Sequence, residues 1–220
     1  PELSGIGAVI FDEFHERSLN ADFGLALTWE IAQALRDDLY IVVMSATLDA
    51  GPVAAMLNDA PVITSEGRAF PVTTHHLAKP LPKTMRLPEA TAELITKAAA
   101  ETTGGILVFL PGEGEIRRTA SLLNLPSDHH IRPLYGAMPF KDQRAAITPV
   151  TSGRKIVLST SIAETSLTIE DIRVVIDAGR ARRARFDPNS GMSRLVTERV
   201  SRAEATQRAG RAGRVAAGDA

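Results

Sequence analysis

Short apolar runs alternate with longer segments of helical periodicity along most of this 220-residue chain. The runs have the length of buried strands, and the segments between them are long enough to form helices. A repeated strand–helix–strand order is typical of a parallel sheet, because parallel neighbours need a crossover connection. We predict strands at residues 8–11, 40–44, 62–64, 72–74, 106–110, 130–134, 155–158 and 174–176.

Helices are predicted at residues 20–35, 52–57, 89–101, 113–123 and 141–147, with Asn20 as the N-cap of the first. Residues 79–88 contain three prolines and are predicted to form a loop. The strand–helix unit recurs too often for one small sheet. We therefore predict an α/β fold with two domains, residues 1–68 and 69–220.

Composition narrows the class of protein. The chain has no Cys, which excludes disulfides and thiolate zinc sites and is compatible with a cytoplasmic location. No apolar run approaches the roughly 20 residues of a membrane-spanning helix, so we expect no membrane association.

The charge balance of the C-terminal part favours a polyanionic partner. The net charge is −1, yet the acids between residues 180 and 214 are only Asp187, Glu198 and Glu204. The bases there are all arginines, which suit bidentate phosphate contacts: Arg180, Arg182, Arg183, Arg185, Arg194, Arg199, Arg202, Arg208, Arg211 and Arg214. A solvated charged face remains the alternative.

A β-hairpin is predicted between Arg183 and Thr197, because Pro188, Asn189 and Gly191 are turn-forming residues between two strand-like segments. A basic hairpin suits nucleic-acid binding. A surface excursion without a function is equally compatible with the sequence.

Asp12 and Glu13 follow the first predicted strand, at the carboxyl end where parallel sheets bind ligands. An Asp at this position can hold Mg²⁺, and the adjacent Glu can orient and deprotonate an attacking water. Acid pairs after strands are common, so this pair needs further support.

Four ordered motifs supply that support. Residues 12–19 read DEFHERSL, residues 45–47 read SAT, residues 159–169 read STSIAETSLTI, and residues 207–214 read QRAGRAGR. In this order they resemble the DEAH-box family of superfamily 2 RNA helicases. Phe14 and residues 20–25 look closest to the bacterial HrpB group of that family.

The resemblance implies a RecA-like fold of the P-loop NTPase type, with a partial first domain and a second domain that carries the hairpin. It implies an enzyme that uses ATP and Mg²⁺ at a site to which both domains contribute. Asp12 and Glu13 would hold Mg²⁺ and activate water, and His15 would link the nucleotide to the second domain. Ser45 and Thr47 would couple hydrolysis to domain movement.

The same resemblance assigns the remaining roles. Gln207 would place the attacking water, Arg211 and Arg214 would contact the γ-phosphate as arginine fingers, and Glu170 would contact the ribose. Arg208 would be structural. Gly112, Thr160 and Thr165 would touch the sugar-phosphate backbone of single-stranded RNA, with DNA also possible. Protein partners are not indicated.

Three features depart from the family pattern. The chain lacks the G-x-x-x-x-G-K-[ST] phosphate loop, which in these helicases precedes the DEFH motif, so we expect a fragment that is inactive by itself. Ser161 replaces the usual Asn, and residues 144–148 lack the aromatic that some members stack on adenine. A non-catalytic nucleic-acid-binding or remodelling module with a vestigial ATPase is the alternative function.

Other candidate sites are weak. The pairs His75–His76 and His129–His130 would point to opposite faces of a strand and are poor metal ligands. Residues 112–115, GEGE, lack the third Gly of a dinucleotide fingerprint, and Ser45 and Ser166 lack a base arranged for a hydrolase triad.

Overall fold

The structure, a computed structural model, describes residues 2–16, 18–45, 50–65, 70–82, 84–164, 167 and 169–220. Two compact units make up the chain, Pro1–Glu66 and Gly67–Ala220. Each unit has its own parallel sheet and its own buried apolar clusters.

The first unit is one strand–helix–strand arrangement. Strand β1 (Ala8–Phe11) pairs in parallel with β2 (Tyr40–Val43), and Ala8 lies opposite Tyr40. Helix α1 (Leu19–Ala34) connects the two strands, and α2 (Ala50–Met56) follows β2. The cluster that holds these elements together is centred on the buried residues Phe14, Leu25 and Leu57.

Two predictions for this unit are wrong. The N-cap of α1 is Ser18, whose Oγ accepts a hydrogen bond of 3.0 Å from the Ala21 N–H, and not Asn20, which lies inside the helix. Residues 62–64 form no strand, and Ile63 is 93% exposed. An apolar run becomes a strand only where a neighbouring strand can satisfy its backbone groups, and the described part of this unit pairs only β1 with β2.

The second unit contains a six-stranded sheet and a separate hairpin. In chain order its strands are β3 (Val72–Thr73), β4 (Gly105–Phe109), β5 (His129–Leu134), β6 (Arg154–Ser159), β7 (Ile172–Asp177), β8 (Arg180–Asp187), β9 (Met192–Arg199) and β10 (Gly218–Asp219). The sheet order is β3-β10-β7-β4-β6-β5, and all its pairs are parallel. Strands β8 and β9 form the predicted antiparallel hairpin, with Ala184 opposite Leu195.

Side chains of β4 alternate between two cores, so both faces of the sheet are covered. Leu107 and Phe109 belong to one buried cluster, and Ile106, Val108 and the residue after the strand, Leu110, belong to the other. The helices of this unit are α3 (Leu87–Glu101), α4 (Glu113–Leu122), α5 (Phe140–Ile147) and α6 (Arg202–Gly210). A fully buried strand of this kind is typical of a doubly covered parallel sheet.

The predicted loop over residues 79–88 ends too late. Helix α3 begins at Leu87, with Pro88 in its first turn. Proline is tolerated there because an N–H in the first turn has no acceptor within the helix. Across the described ranges, no helix combines the length and the apolar character that crossing a bilayer requires.

Candidate functional site

Asp12 and Glu13 form a turn immediately after β1. The Glu13 N–H donates to Asp12 Oδ1 at 2.8 Å, and the φ of Glu13 is +51°. A left-handed conformation is uncommon for residues other than Gly and clusters at functional sites. Phe14, which follows, is buried and its N–H donates to the Met44 carbonyl at 3.0 Å. The turn is thereby fixed at the carboxyl ends of both strands.

Two predicted residues lie beside this turn. His15 Nε2 is 3.4 Å from Glu13 Oε2, and the His15 side chain is largely buried. Ser45 directly follows Met44, so it lies at the same end of the two-stranded sheet. Thr47 lies outside the described residues. The structure therefore brings Asp12, Glu13, His15 and Ser45 to one edge.

This edge suits Mg²⁺ only in part. Asp12 is exposed and offers a carboxylate, but the described residues contain no group of three or more metal-ligating side chains. Mg²⁺ in phosphate chemistry commonly takes one or two carboxylates and completes its shell with water and substrate phosphates. Asp12 fits a cation of that kind rather than one caged by protein alone.

In the second unit, α6 carries the Gln and Arg cluster. Ser201 caps α6 reciprocally with Glu204, and the following 3₁₀ turn is Arg211–Gly213. Arg208, which is 1% exposed, bonds Glu164 Oε2 at 3.1 Å and Asp177 Oδ1 at 2.8 Å. Its guanidinium also lies 4.8 Å from the centre of the Phe109 ring. This environment agrees with a structural role for Arg208.

The two predicted arginine fingers differ in their surroundings. Arg211 is 5% exposed, and its guanidinium donates to the carbonyls of Glu164 and Leu167, with Nε to Glu164 at 2.8 Å. Arg214 is exposed, and Gln207 is half-buried. Arg211 thus holds the backbone at Glu164 and Leu167, two described residues of the SIAETSLTI motif, and Arg214 is the more accessible of the two.

Gly112 and Thr160 lie at the carboxyl ends of the neighbouring strands β4 and β6. The Thr160 N–H donates to the Leu134 carbonyl at 3.1 Å. A Cβ at Gly112, the N-cap of α4, would lie 2.9 Å from the guanidinium of Arg182. The structure brings these two residues to one edge of the sheet, and Thr165 lies outside the described residues.

Glu170 lines a pocket of about 330 Å³. Its other lining residues are Phe140, Gln143, Arg144 and Ile147 of α5, Thr148 and Pro149 directly after it, and Leu167. Phe140 is 75% exposed, and the Arg144 guanidinium lies 5.7 Å from its ring centre. The pocket therefore combines apolar walls, one aromatic ring and one carboxylate, which suits a ligand with a planar ring and hydroxyl groups.

Sequence reasoning missed the buried and half-buried charges of this unit. Glu164, Asp177 and Lys155 were assigned no role, although each contacts a side chain or carbonyl far away in the chain. Burial raises the pKa of Glu164, and the Arg208 charge opposes that rise. The local sequence carries no signal for these contacts, because Lys155 follows Arg154 at the start of β6 and reads as part of a charged strand end.

These features define a RecA-like α/β fold, with acids after one strand and an arginine-rich helix end in the second unit. Residues 87–216 match the family described as the helicase conserved C-terminal domain, and the chain belongs to this family.

Three similarities define the group more closely. The chain is 54% identical, over 99% of its length, to the ATP-dependent RNA helicase HrpB of Escherichia coli (strain K12), and 40% identical, over 96%, to HrpA of the same organism. It covers 27% of the first relative and 16% of the second. The crystal structure of E. coli DEAH/RHA helicase HrpB superposes on all of the chain with a TM-score of 0.90 and 53% identity, and the match covers 28% of that structure.

The predicted resemblance and the predicted RecA-like fold class are therefore confirmed. The chain is similar to the DEAH-box helicase HrpB over its whole length, and it spans about a quarter of the length of HrpB.

Proposed function

We propose that the protein containing this chain is an ATP-dependent helicase that couples ATP hydrolysis to movement along single-stranded RNA. The observation that carries the proposal is the turn of Asp12 and Glu13, fixed at the carboxyl ends of β1 and β2 in a HrpB-like chain. The name of that relative supports RNA as the substrate, and DNA is the alternative strand. We place the reaction in the cytoplasm, where ATP and RNA are both present.

In this proposal the acidic turn acts on the nucleotide phosphates. Asp12 holds Mg²⁺, which when bound neutralises charge on the phosphate oxygens. Glu13 orients a water and takes its proton. The His15 side chain, 3.4 Å from Glu13, holds that carboxylate in place. Ser45 and Thr47 couple this end of the unit to domain movement.

The arginines of the second unit complete the phosphate contacts. Gln207 places the attacking water, and Arg214 is exposed and contacts the γ-phosphate first. Arg211 reaches phosphate only by giving up the carbonyls of Glu164 and Leu167. The exchange is favourable because a fully charged phosphate attracts the guanidinium more strongly than a neutral carbonyl does, and can accept two parallel hydrogen bonds from it. Glu170 accepts from the ribose hydroxyls at its pocket.

The nucleic-acid strand contacts the edge that carries Gly112, Thr160 and Thr165. Backbone N–H groups and hydroxyls there bind sugar and phosphate without reading bases, so little sequence preference is expected. We further propose that residues 1–68 are the end of a first RecA-like domain and that residues 69–220 are the second.

The proposal is tested by steady-state ATP hydrolysis of the full-length protein with and without single-stranded RNA. We expect RNA-stimulated turnover, which Glu13→Gln abolishes without loss of ATP binding. Glu30→Gln, the same change at an exposed position on α1, is the matched control and should keep wild-type turnover. Undiminished hydrolysis by Glu13→Gln would refute the assignment of the base. A wild type that binds RNA but has no turnover would favour a binding module with a vestigial ATPase.

A further inference from the structure

Lys155 is a buried cation that the proposed chemistry does not use. It is 1% exposed and lies on β6, between strands β4 and β5. Its Nζ donates to the carbonyls of Ile147 at 3.2 Å and Thr148 at 3.3 Å, and lies 3.7 Å from Asp171 Oδ2. Lysine is almost never fully buried unless it is paired, and these three contacts provide the pairing. The position of the partners then indicates what the buried ammonium does.

The partners of Lys155 lie in or directly next to two segments that line one pocket. Ile147 and Thr148 end α5 and line the pocket of Glu170. Asp171 directly follows Glu170, which is the acidic residue of the pocket lining. The C-terminal carbonyls of a helix carry partial negative charge, which a cation stabilises. One ammonium group therefore joins the end of α5 to the turn that carries Glu170.

That turn is conformationally strained. Asp171 has a φ of +74°, and its carbonyl accepts from the Gly105 N–H at 2.8 Å. A left-handed Asp persists only where its surroundings hold it. The hydrogen bond from Gly105 holds its backbone, and Lys155 holds its side chain, so the direction of the neighbouring Glu170 depends on both.

The charges around Lys155 agree with this arrangement. Burial lowers the pKa of Lys155, and the negative charges of Asp171 and Glu170 oppose that lowering. The ammonium therefore has favourable electrostatic interactions with both acids.

We propose that Lys155 is a positioning residue for the nucleoside, because it fixes the distance between α5 and the Glu170 turn and thereby aims Glu170 at the ribose hydroxyls. The inference rests on the proposed function, since it assumes that this pocket receives part of ATP. Lys155 itself touches no part of the nucleotide.

The test measures dissociation constants of the full-length protein for three probes: ADP, 2′,3′-dideoxy-ADP and inorganic pyrophosphate. A hydrogen bond to a charged group contributes about 1.5–3 kcal/mol, so the wild type should bind ADP at least about tenfold more tightly than the dideoxy analogue. In Lys155→Met this preference should fall to about one- to twofold. Pyrophosphate affinity should stay unchanged, because the phosphate contacts lie elsewhere.

Two further variants make the result decisive. Lys141→Met removes an exposed lysine from α5 and should keep the tenfold preference. Asp171→Asn removes the partly exposed partner carboxylate and keeps a residue that tolerates a positive φ. This variant should show an intermediate preference for ADP. If Lys155→Met does not fold, Asp171→Asn is the variant that tests the inference.

A full preference for ADP in folded Lys155→Met would overturn the inference, and so would an equal loss of pyrophosphate affinity. Absence of any ADP binding by the wild type would instead refute the proposed function.

Discussion

The acidic turn of the first unit exposes its charge to solvent, whereas the second unit buries the charges of Arg208 and Arg211. Asp12 is exposed, and its carboxylate contacts the N–H of the next residue. Arg208 and Arg211 are buried, and their partners Glu164, Leu167 and Asp177 lie far away in the chain. An exposed charge is available to ligands but contributes little to stability, whereas a buried and paired charge makes the fold depend on it. The comparison predicts large stability effects only in the second unit.

The largest effect is expected for Arg208→Met. Removing the cation leaves Glu164 and Asp177 without their shared partner, and breaking a buried ion pair costs about 3–5 kcal/mol. Urea-induced unfolding followed by circular dichroism measures this loss in the transition of the second unit. Arg202→Met, an exposed arginine at the start of the same helix, should change stability by less than about 0.5 kcal/mol. Equal effects of the two changes would contradict the comparison.

A second effect concerns two glycines of the same motif. A Cβ at Gly213 would lie 2.5 Å from the Phe70 carbonyl oxygen and 2.7 Å from Val72 Cγ2, so Gly213→Ala should cost about 1–3 kcal/mol through overpacking. A Cβ at Gly210 would meet nothing within 4 Å, so Gly210→Ala should be neutral or slightly stabilising. Thermal unfolding of the two variants side by side distinguishes them. A shared loss would mean that the arginine turn is rigid throughout.

The helix N-caps of the two units differ in the number of N–H groups they satisfy, and each capping bond contributes about 1 kcal/mol to the free energy of unfolding. Ser201 and Glu204 cap α6 reciprocally, while Ser18 caps α1 through a single bond to Ala21. Ser201→Ala and Ser18→Ala should each cost about 1 kcal/mol in chemical denaturation, because each removes the side-chain acceptor of a single N–H. Adding Glu204→Ala to Ser201→Ala should raise the cost, because the second N–H of the α6 cap then loses its acceptor as well. Ser193→Ala, at an exposed hairpin position, is the control.

The smallest effect is a pH dependence that arises from Glu164. Burial raises its pKa above the ordinary 4.5, so at pH values between the two the folded state binds more protons than the unfolded state. The stability that this group contributes is complete below pH 4.5 and is lost as pH rises through the raised pKa. Unfolding free energies measured in steps upward from pH 4.5 should fall more steeply for the wild type than for Glu164→Gln. Parallel profiles would show that Glu164 ionises as freely as an exposed carboxylate.

The sequence predicted best those features that depend on residues adjacent in the chain. Asp12 and Glu13 directly follow an apolar run, so their position at a strand end could be predicted from neighbours alone. The apolar runs of β4, β6 and β7 predicted the core of the second sheet for the same reason, and Pro188 to Gly191 predicted the hairpin turn. Local patterns suffice for such features because each depends on a few adjacent residues.

Long-range contacts could not be predicted in this way. Nothing in the residues around Arg211 indicates that its guanidinium donates to the carbonyls of Glu164 and Leu167. Lys155 reads as an ordinary first residue of a strand, and only the packed structure shows it between α5 and Asp171. Residues 62–64 show the opposite error, a predicted strand that does not form. A strand also needs a neighbouring strand to pair with, and the local pattern does not reveal one.

The position of β10 has a consequence for the order of folding. Strand β3 (residues 72–73) joins the sheet by pairing with β10 (residues 218–219), and the Phe70 N–H donates to the carbonyl of Gly213. Contacts of such sequence separation raise the contact order and form late, because a long loop must close before they are made. The turn Arg211–Gly213 lies shortly before β10 and is separated from it by residues 214–217. We therefore expect Arg211, in this turn, and the following Arg214 to reach their final geometry in the same late step that closes the edge of the sheet, so that a partly folded chain cannot present them to phosphate.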